Sequence, residues 1–488
     1  MSGVQVSTLG GGMAALDDET IAAFAASVRG GLLVAGAPGY DEARQLWNPM
    51  MNKRPALIAR CTGPADVIAA VNFARANNLL LAVLGGGHGV AGRAVCDGGL
   101  LIDLSLMRGV RVDPRAGTVR VQAGATLGDV DRETQVFGLA VPAGVVSSTG
   151  VAGLTLGGGT GWQMRKRGLT IDNLRSVDIV TADGELRVGS GTENADLFWA
   201  LRGGGGNFGV VTSFEYQAYP VGPTVLLGCP WYPADMGAEV LRAWRDFMTD
   251  APEEFGAAFL FWTVPANPYF PTEHHGKAVV IPLVTYAGDL EEGARLIQPL
   301  RALAEPLVDL SGPLPWVALQ SMFDPFVPKG GLRYYWKSIY LNGLGEDVID
   351  HLVELAATIP SPNTYVVILP FGGAVSRVGD GDTAFGRRDI PYLLEFDSMW
   401  PAPADDDRNI DWTRQIWSQT QRFSPGGVYL NFPGFGEDEE NLVRSSVGTA
   451  NYSKLVAIKD KYDPANLFRS NLNIKPTAER PATATSPA

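Results

Sequence analysis

Short apolar runs punctuated by glycine dominate the first 219 residues, with few stretches of helical period. Leu79–Leu84 and Leu100–Leu104 are brief, continuous and closed by breakers, the pattern of buried strands. Ser176–Thr181, followed by Asp183-Gly184, predicts a strand that enters a hairpin. Between these runs, Pro64–Asn78 predicts an amphipathic helix, opened by proline and carrying Val67, Ala70, Val71 and Ala74 on one stripe. Strands and turns with occasional helices indicate an α+β lobe over residues 1–219. The character changes at Pro220, where aromatic residues become dense. Phe259–Val264, Ala278–Leu283 and Tyr335–Tyr340 read as strands, and Glu291–Glu305 and Glu346–Ile359 as helices lying on them.

Composition narrows the function classes. A net charge of −13 over 488 residues argues against nucleic acid, which wants a basic stripe. No apolar run approaches the ~20 residues of a membrane span. The amino terminus lacks a basic-then-apolar leader, so the expectation is a soluble cytoplasmic protein. Cys61, Cys96 and Cys229 are too few and too scattered for a disulfide framework or a thiolate zinc site, and His274-His275 reads as a loop pair; no metal is expected. Two acidic runs, Asp405–Asp407 and Glu437–Glu440, read as solvated loops, and residues 477–488 as a disordered tail. Nothing in the chain fixes an oligomeric state.

The candidate chemistry lies in three glycine stretches. The first, Gly85-Gly86-Gly87-His88-Gly89, follows a strand and sets one of only four histidines in a loop where it has little packing to do. The second runs Gly150 to Trp162 and the third Arg202 to Val211. Glycine lets backbone N–H groups converge on an anion. No cluster of Lys or Arg stands beside these loops, which suits a diphosphate bound by amides. The dinucleotide fingerprint is absent, because Gly92 leads into another strand and not a helix. An exposed loop histidine is the alternative for His88.

With these loops in order, the chain resembles the berberine-bridge-enzyme-like branch of the vanillyl-alcohol-oxidase superfamily. The resemblance runs from Asn52–Ile58 through all three glycine stretches to Lys461–Ile474. It implies a PCMH-type FAD-binding lobe of two subdomains, resumed by residues 426–476. Residues 220–425 then form a substrate lobe, an antiparallel sheet covered by helices. It also implies FAD held by Gly85, Gly86, Gly87, His88, Gly89, Val146, Thr149, Gly150, Gly153, Gly158, Val211, Asn431, Asn471 and Asn473. A covalent bond from His88 to the flavin 8α-methyl follows from the same resemblance. Many relatives add a second tether through a cysteine at the position of Val146, where none can form here, so a single link is expected. Thr149 takes the place of a small residue that admits oxygen, and Leu84 replaces a frequent arginine; the latter departure has no account.

Two residues are candidates for acid–base work. Tyr429, in Val428-Tyr429-Leu430-Asn431-Phe432, matches a family tyrosine beside the flavin, and a period of two would put Asn431 on the same face. The alternative is an ordinary core tyrosine. Glu395 shares its strand face with Leu393 and Asp397; there the alternative is a solvent-facing carboxylate paired with a neighbour. The resemblance implies oxidation of a C–OH or C–N centre in a secondary metabolite, sugar or alkaloid, with O2 reduced to H2O2. A flavin dehydrogenase using another acceptor, or a catalytically silent flavin-binding protein, stays open as an alternative.

Overall fold

The structure is a computed structural model that describes residues 3–436 and 438–480. Among them, the amino-terminal half carries a four-stranded and a five-stranded sheet. In the first, Leu57–Arg60 and Leu81–Leu84 both run parallel to Leu100–Asp103, while Leu32–Val34 closes one edge antiparallel. Helix Pro64–Ala76 connects two of these strands, with the alanine-valine stripe buried as its period requires. The five-stranded sheet is antiparallel and includes the hairpin of Leu174–Val180 with Leu186–Ser190. Its turn needs Gly184, whose φ is +83°.

The second lobe is built on a large antiparallel sheet. Its central strands are Ala278–Tyr286, Phe255–Thr263, Tyr365–Pro370, Tyr392–Trp400 and Arg333–Leu341, in that spatial order. Period-two alternation sorts the side chains. Phe259, Phe261, Leu394 and Phe396 pack with Val240, Trp244, Ile349 and Ile416, residues of the helices Gly237–Asp250, Glu346–Ala356 and Asp406–Thr420. Ala258, Leu260, Trp262 and Met399 point the other way, into a second core that also contains Trp47, Val90 and Trp162 from the first lobe. The sheet thus has a helix-covered face and a face turned toward the glycine loops.

Several expectations give way to the structure. The expected helix Glu291–Glu305 is two short pieces, Leu290–Leu296 and Gln298–Arg301, with Pro299 early in the second. The acidic runs mark helix starts and not loops, apart from Glu437, which lies outside the described residues. Asp406 and Asp407 open the helix Asp406–Thr420, and Asp406 pairs with Arg333. Asp438 caps the helix Glu439–Val447 by accepting from the Asn441 N–H. Negative charge at a helix N-terminus is favourable, so these runs do structural work. Beyond Pro476, a single 3-10 turn spans Thr477–Glu479, and Arg480 pairs with Glu440; the rest of the expected tail, 481–488, lies outside the described residues. No helix among the described residues is long and apolar enough to cross a membrane.

Candidate functional site

The glycine loops and the open face of the large sheet enclose a cavity of about 410 Å³. Its lining includes Gly85, Gly86, Gly87, His88, Gly89, Val146, Thr149, Gly150, Gly153, Val211, Asn431 and Asn471, together with Tyr429 and Glu395. Gly158 and Asn473 are not in the wall. A Cβ on Gly158 would fall 2.8 Å from the Phe385 ring and 3.2 Å from that of Tyr429, so this glycine makes room for the tyrosine. Asn473 is half-buried, and its Oδ1 has no partner among the described residues.

The first loop fits an anion cradle. A Cβ on Gly86 would lie 2.4 Å from both Cα and N of Gly150, so the first and second loops touch backbone to backbone. The N–H groups of residues 86–89 donate to no acceptor among the described residues, which leaves them for a bound group. The third loop is tied to the carboxyl-terminal segment. Asn207 Nδ2 donates to the carbonyls of Gly204 and Leu472 at 2.9 and 3.0 Å, and Asn471 Nδ2 to that of Gly206 at 3.1 Å. This lining of unclaimed amides and apolar side chains suits a dinucleotide held without side-chain charge. Arg93, the cationic side chain in the lining, is paired with Glu439 at 2.7 Å. Among the described residues no His, Cys, Asp and Glu side chains gather as a metal site would require.

His88 is held on two sides. Its ring stacks on Trp47 with centroids 4.5 Å apart, and its Nε2 lies 2.8 Å from Ser148 Oγ. Desolvation, and then the charge of Lys329, pushes the imidazole down to about 3, so the ring is neutral across the physiological range. The segment holding Val146 and Thr149 is pinned from the second lobe: Gln320 Nε2 donates to the Gly144 carbonyl at 3.0 Å, and Asp324 accepts from the Ser147 N–H at 2.9 Å.

Tyr429 and Asn431 meet, though not on a strand. The chain turns here, with the Phe432 N–H donating to the Tyr429 carbonyl at 2.8 Å. Ser338, on the strand Arg333–Leu341, holds the turn: its Oγ accepts from the Tyr429 N–H at 3.0 Å and donates to the Phe432 carbonyl at 3.1 Å. The Tyr429 hydroxyl oxygen accepts from the Gly159 N–H at 2.9 Å and from Asn431 Nδ2 at 2.8 Å. Burial raises this phenol above its ordinary value, while those two donors work in the opposite sense.

Glu395 lies on the cavity face as alternation requires, and Asp397, not singled out from the sequence, lies beside it. Each is 5% exposed, and neither carboxylate accepts a hydrogen bond from any described residue. Burial and the neighbouring Asp397 raise Glu395 well above its ordinary range, and burial raises Asp397 too. Around them stand Trp336, Tyr365, Leu260 and Val367. The period-two rule that placed Glu395 also puts Asp397 on the same face, without marking it as an acid–base candidate. Nothing local signals Trp47, Lys329 or Ser338, which reach the site from distant segments.

The FAD binding domain family matches residues 55–190 and the family "Berberine and berberine like" residues 428–475. An FAD-linked oxidoreductase of Dictyostelium discoideum is 33% identical over 458 residues, 93% of this chain and 96% of its own. The (R)-6-hydroxynicotine oxidase of Paenarthrobacter nicotinovorans is 30% identical over 467 residues, 92% and 97% of the two chains. The crystal structure of 6-hydroxy-D-nicotine oxidase from Arthrobacter nicotinovorans superposes with a TM-score of 0.81 at 28% identity, covering 92% of this chain and 98% of that one. The glycine cradle, the antiparallel sheet above it and these likenesses together make the chain a member of the berberine-bridge-enzyme-like FAD-linked oxidoreductases, with the PCMH-type FAD-binding fold.

Proposed function

We propose that the protein is an oxidase that removes hydride from a C–OH or C–N carbon of a small organic substrate, with Tyr429 as the residue that manages the substrate proton. The observation that carries this reading is the state of the Tyr429 hydroxyl. Its oxygen already accepts two N–H groups, so its own proton is the one directed to a third partner, and the same donors would steady a phenolate. Tyr429 therefore relays the O–H or N–H proton of a substrate held in the cavity, accepting it as its own phenol proton passes to the Glu395–Asp397 pair. Glu395 and Asp397 cannot readily both ionise, so the pair holds one proton and can receive a second. The residues expected to hold FAD are the glycines of the first two loops with Val146, Thr149, Val211, Asn431 and Asn471. His88 would be the nucleophile for a single tether, and its neutral ring stacked on Trp47 supports that reading. Bound there, FAD supplies the two-electron acceptor, and dioxygen regenerates it with release of hydrogen peroxide. Thr149 leaves the approach of oxygen open.

Acid precipitation tests the tether: flavin is expected in the pellet of the native protein and in the supernatant of His88→Ala. Flavin retained in the variant's pellet would refute the role of His88. Rapid mixing with an oxidisable substrate tests the base, and Tyr429→Phe is expected to slow flavin reduction by about 10²–10⁴-fold, the range of a general base. Undiminished reduction would remove Tyr429. Reduced flavin that persists in air would mark a dehydrogenase instead.

A further inference from the structure

We propose that the substrate is an organic cation, a protonated amine on a compact ring or chain, bound by Glu395 and Asp397 against Trp336 and Tyr365. The proposal rests on the oxidase reading above and selects, within it, the C–N centre over the C–OH centre.

Two carboxylates on one face of the strand Tyr392–Trp400 line the cavity, and each lacks a hydrogen bond from any described residue. Burying acids without donors costs free energy, and cavities that do so are complementary to a donor brought by the ligand. Among the described residues no cationic side chain pairs with them. Arg93 is engaged by Glu439. Lys337 pairs in register with Phe396, on the helix-covered face of the sheet, and its Nζ lies 3.8 Å from the Trp417 ring centroid. Asp397 faces aromatic groups, being in register with Trp336 on one neighbouring strand and Tyr365 on the other, while Glu395 is in register with Ser338 and Val367. Aromatic faces attract a cation and offer little to a neutral hydroxyl beyond apolar contact. A polyol would satisfy some acceptors but would leave the mutual repulsion of the two acids in place. An ammonium group satisfies both and lets both ionise.

The chemistry balances. The protonated amine gives one N–H proton to Tyr429, whose own phenol proton passes to the carboxylate pair. The adjacent carbon then loses its hydrogen as hydride to FAD, and the carbon–nitrogen single bond becomes an imine double bond. Two electrons leave the substrate with that hydride, and dioxygen accepts them with two protons to form hydrogen peroxide.

Calorimetric titration of the purified flavoprotein with benzylamine and with benzyl alcohol at pH 7.5 tests the proposal, since the probes differ in one heavy atom and in charge. The amine is expected to bind at least tenfold more tightly. In Glu395→Gln, in Asp397→Asn and in the double variant, all near-isosteric, that preference is expected to shrink to within about threefold while flavin content stays unchanged. Equal binding, tighter binding of the alcohol, no binding of either probe, or a preference that survives in the double variant would each overturn it. Flavin absorbance and peroxide release, followed separately, report on the oxidase reading. A yellow, peroxide-forming protein without cation preference refutes only the present inference.

Discussion

Replacing Asp131 by asparagine should stabilise the protein at pH 8 and do about half as much at pH 5. Asp131 sits on the helix Leu127–Gln135 of the first lobe and is 5% exposed. Its partners come from the second lobe: Trp316 Nε1 donates to Oδ1 at 3.0 Å and Gln320 Nε2 to Oδ2 at 3.3 Å. These neutral donors do not offset burial, which pushes the carboxyl up to about 6. The unfolded chain ionises near 3.9, so between these values the native state holds the extra proton and stability falls as pH rises. The penalty is absent below about pH 4, grows through the window, and is complete above pH 6. Two pH units correspond to about 3 kcal/mol, the ceiling for what a neutral isostere recovers. Asparagine keeps an oxygen for Trp316, and its amide can turn to Gln320 Oε1, which is buried and unpartnered. At roughly 2 °C per kcal/mol for a large domain, Tm should rise by up to about 6 °C at pH 8. Scanning calorimetry at pH 5 and pH 8 reads both values. Asp131→Ala escapes the same penalty but leaves the Trp316 N–H without an acceptor, at about 1–3 kcal/mol, so it should fall short of the asparagine variant at both pH values. An Asp131→Asn protein less stable than the native one at pH 8, or shifted equally at both pH values, would refute the reasoning.

Three further outcomes follow from the geometry. Gly86→Ala should sharply reduce flavin content in absorbance measurements on purified protein, because its Cβ meets the Gly150 backbone at 2.4 Å and no side chain can rotate away; normal content would show that the loops part easily. Ser338→Ala should lower the rate of flavin reduction while flavin content is kept, since the turn carrying Tyr429 loses hydrogen bonds of 3.0 and 3.1 Å; an unchanged rate would mean the turn holds itself. Arg388→Met should cost about 3–5 kcal/mol in urea unfolding, because it leaves Asp172 buried without the guanidinium that holds it at 2.7 and 2.9 Å.

Much of the fold was legible because each element reports its own faces. The strand Leu81–Leu84 lies within the apolar run that ends at the first glycine loop, and the helix over Pro64–Ala76 buries the stripe read from its period. Alternation split Tyr392–Trp400 correctly, sending Leu394 and Phe396 to the helices and Glu395 to the cavity. Misreadings came where a local rule had two outcomes. Acidic runs favour solvent, but they also favour helix N-termini, and the structure takes the second course at Asp406 and Asp438. A long helix was expected over residues 291–305, yet Pro299 separates it into two turns of chain.

The site itself was legible only in part, for a different physical reason. Period and propensity say which face of an element is apolar, not which faces meet. His88 was visible as a histidine without packing to do, but its surroundings are Trp47, some forty residues earlier, Ser148, sixty later, and Lys329 in the other lobe. Tyr429 and Asn431 were paired on a strand argument, and they do meet, but through a turn pinned by Ser338 from a strand ninety-one residues away. The pairing survived the wrong element because the hydrogen bond between Tyr429 and Asn431 is local, while the orientation of both toward the cavity is not. That division bears on substrate choice. Tyr429, the residue proposed to handle the substrate proton, is carried by the turn Tyr429–Phe432. The acids and rings that would recognise the substrate come from three adjacent strands of the large sheet. A change at Tyr365 can therefore alter what enters the cavity without touching the turn that carries Tyr429. Trp336, by contrast, packs edge-on against Phe432 of that turn, with centroids 5.0 Å apart. The acids also share in the proposed proton relay, so specificity and chemistry are separable only in part.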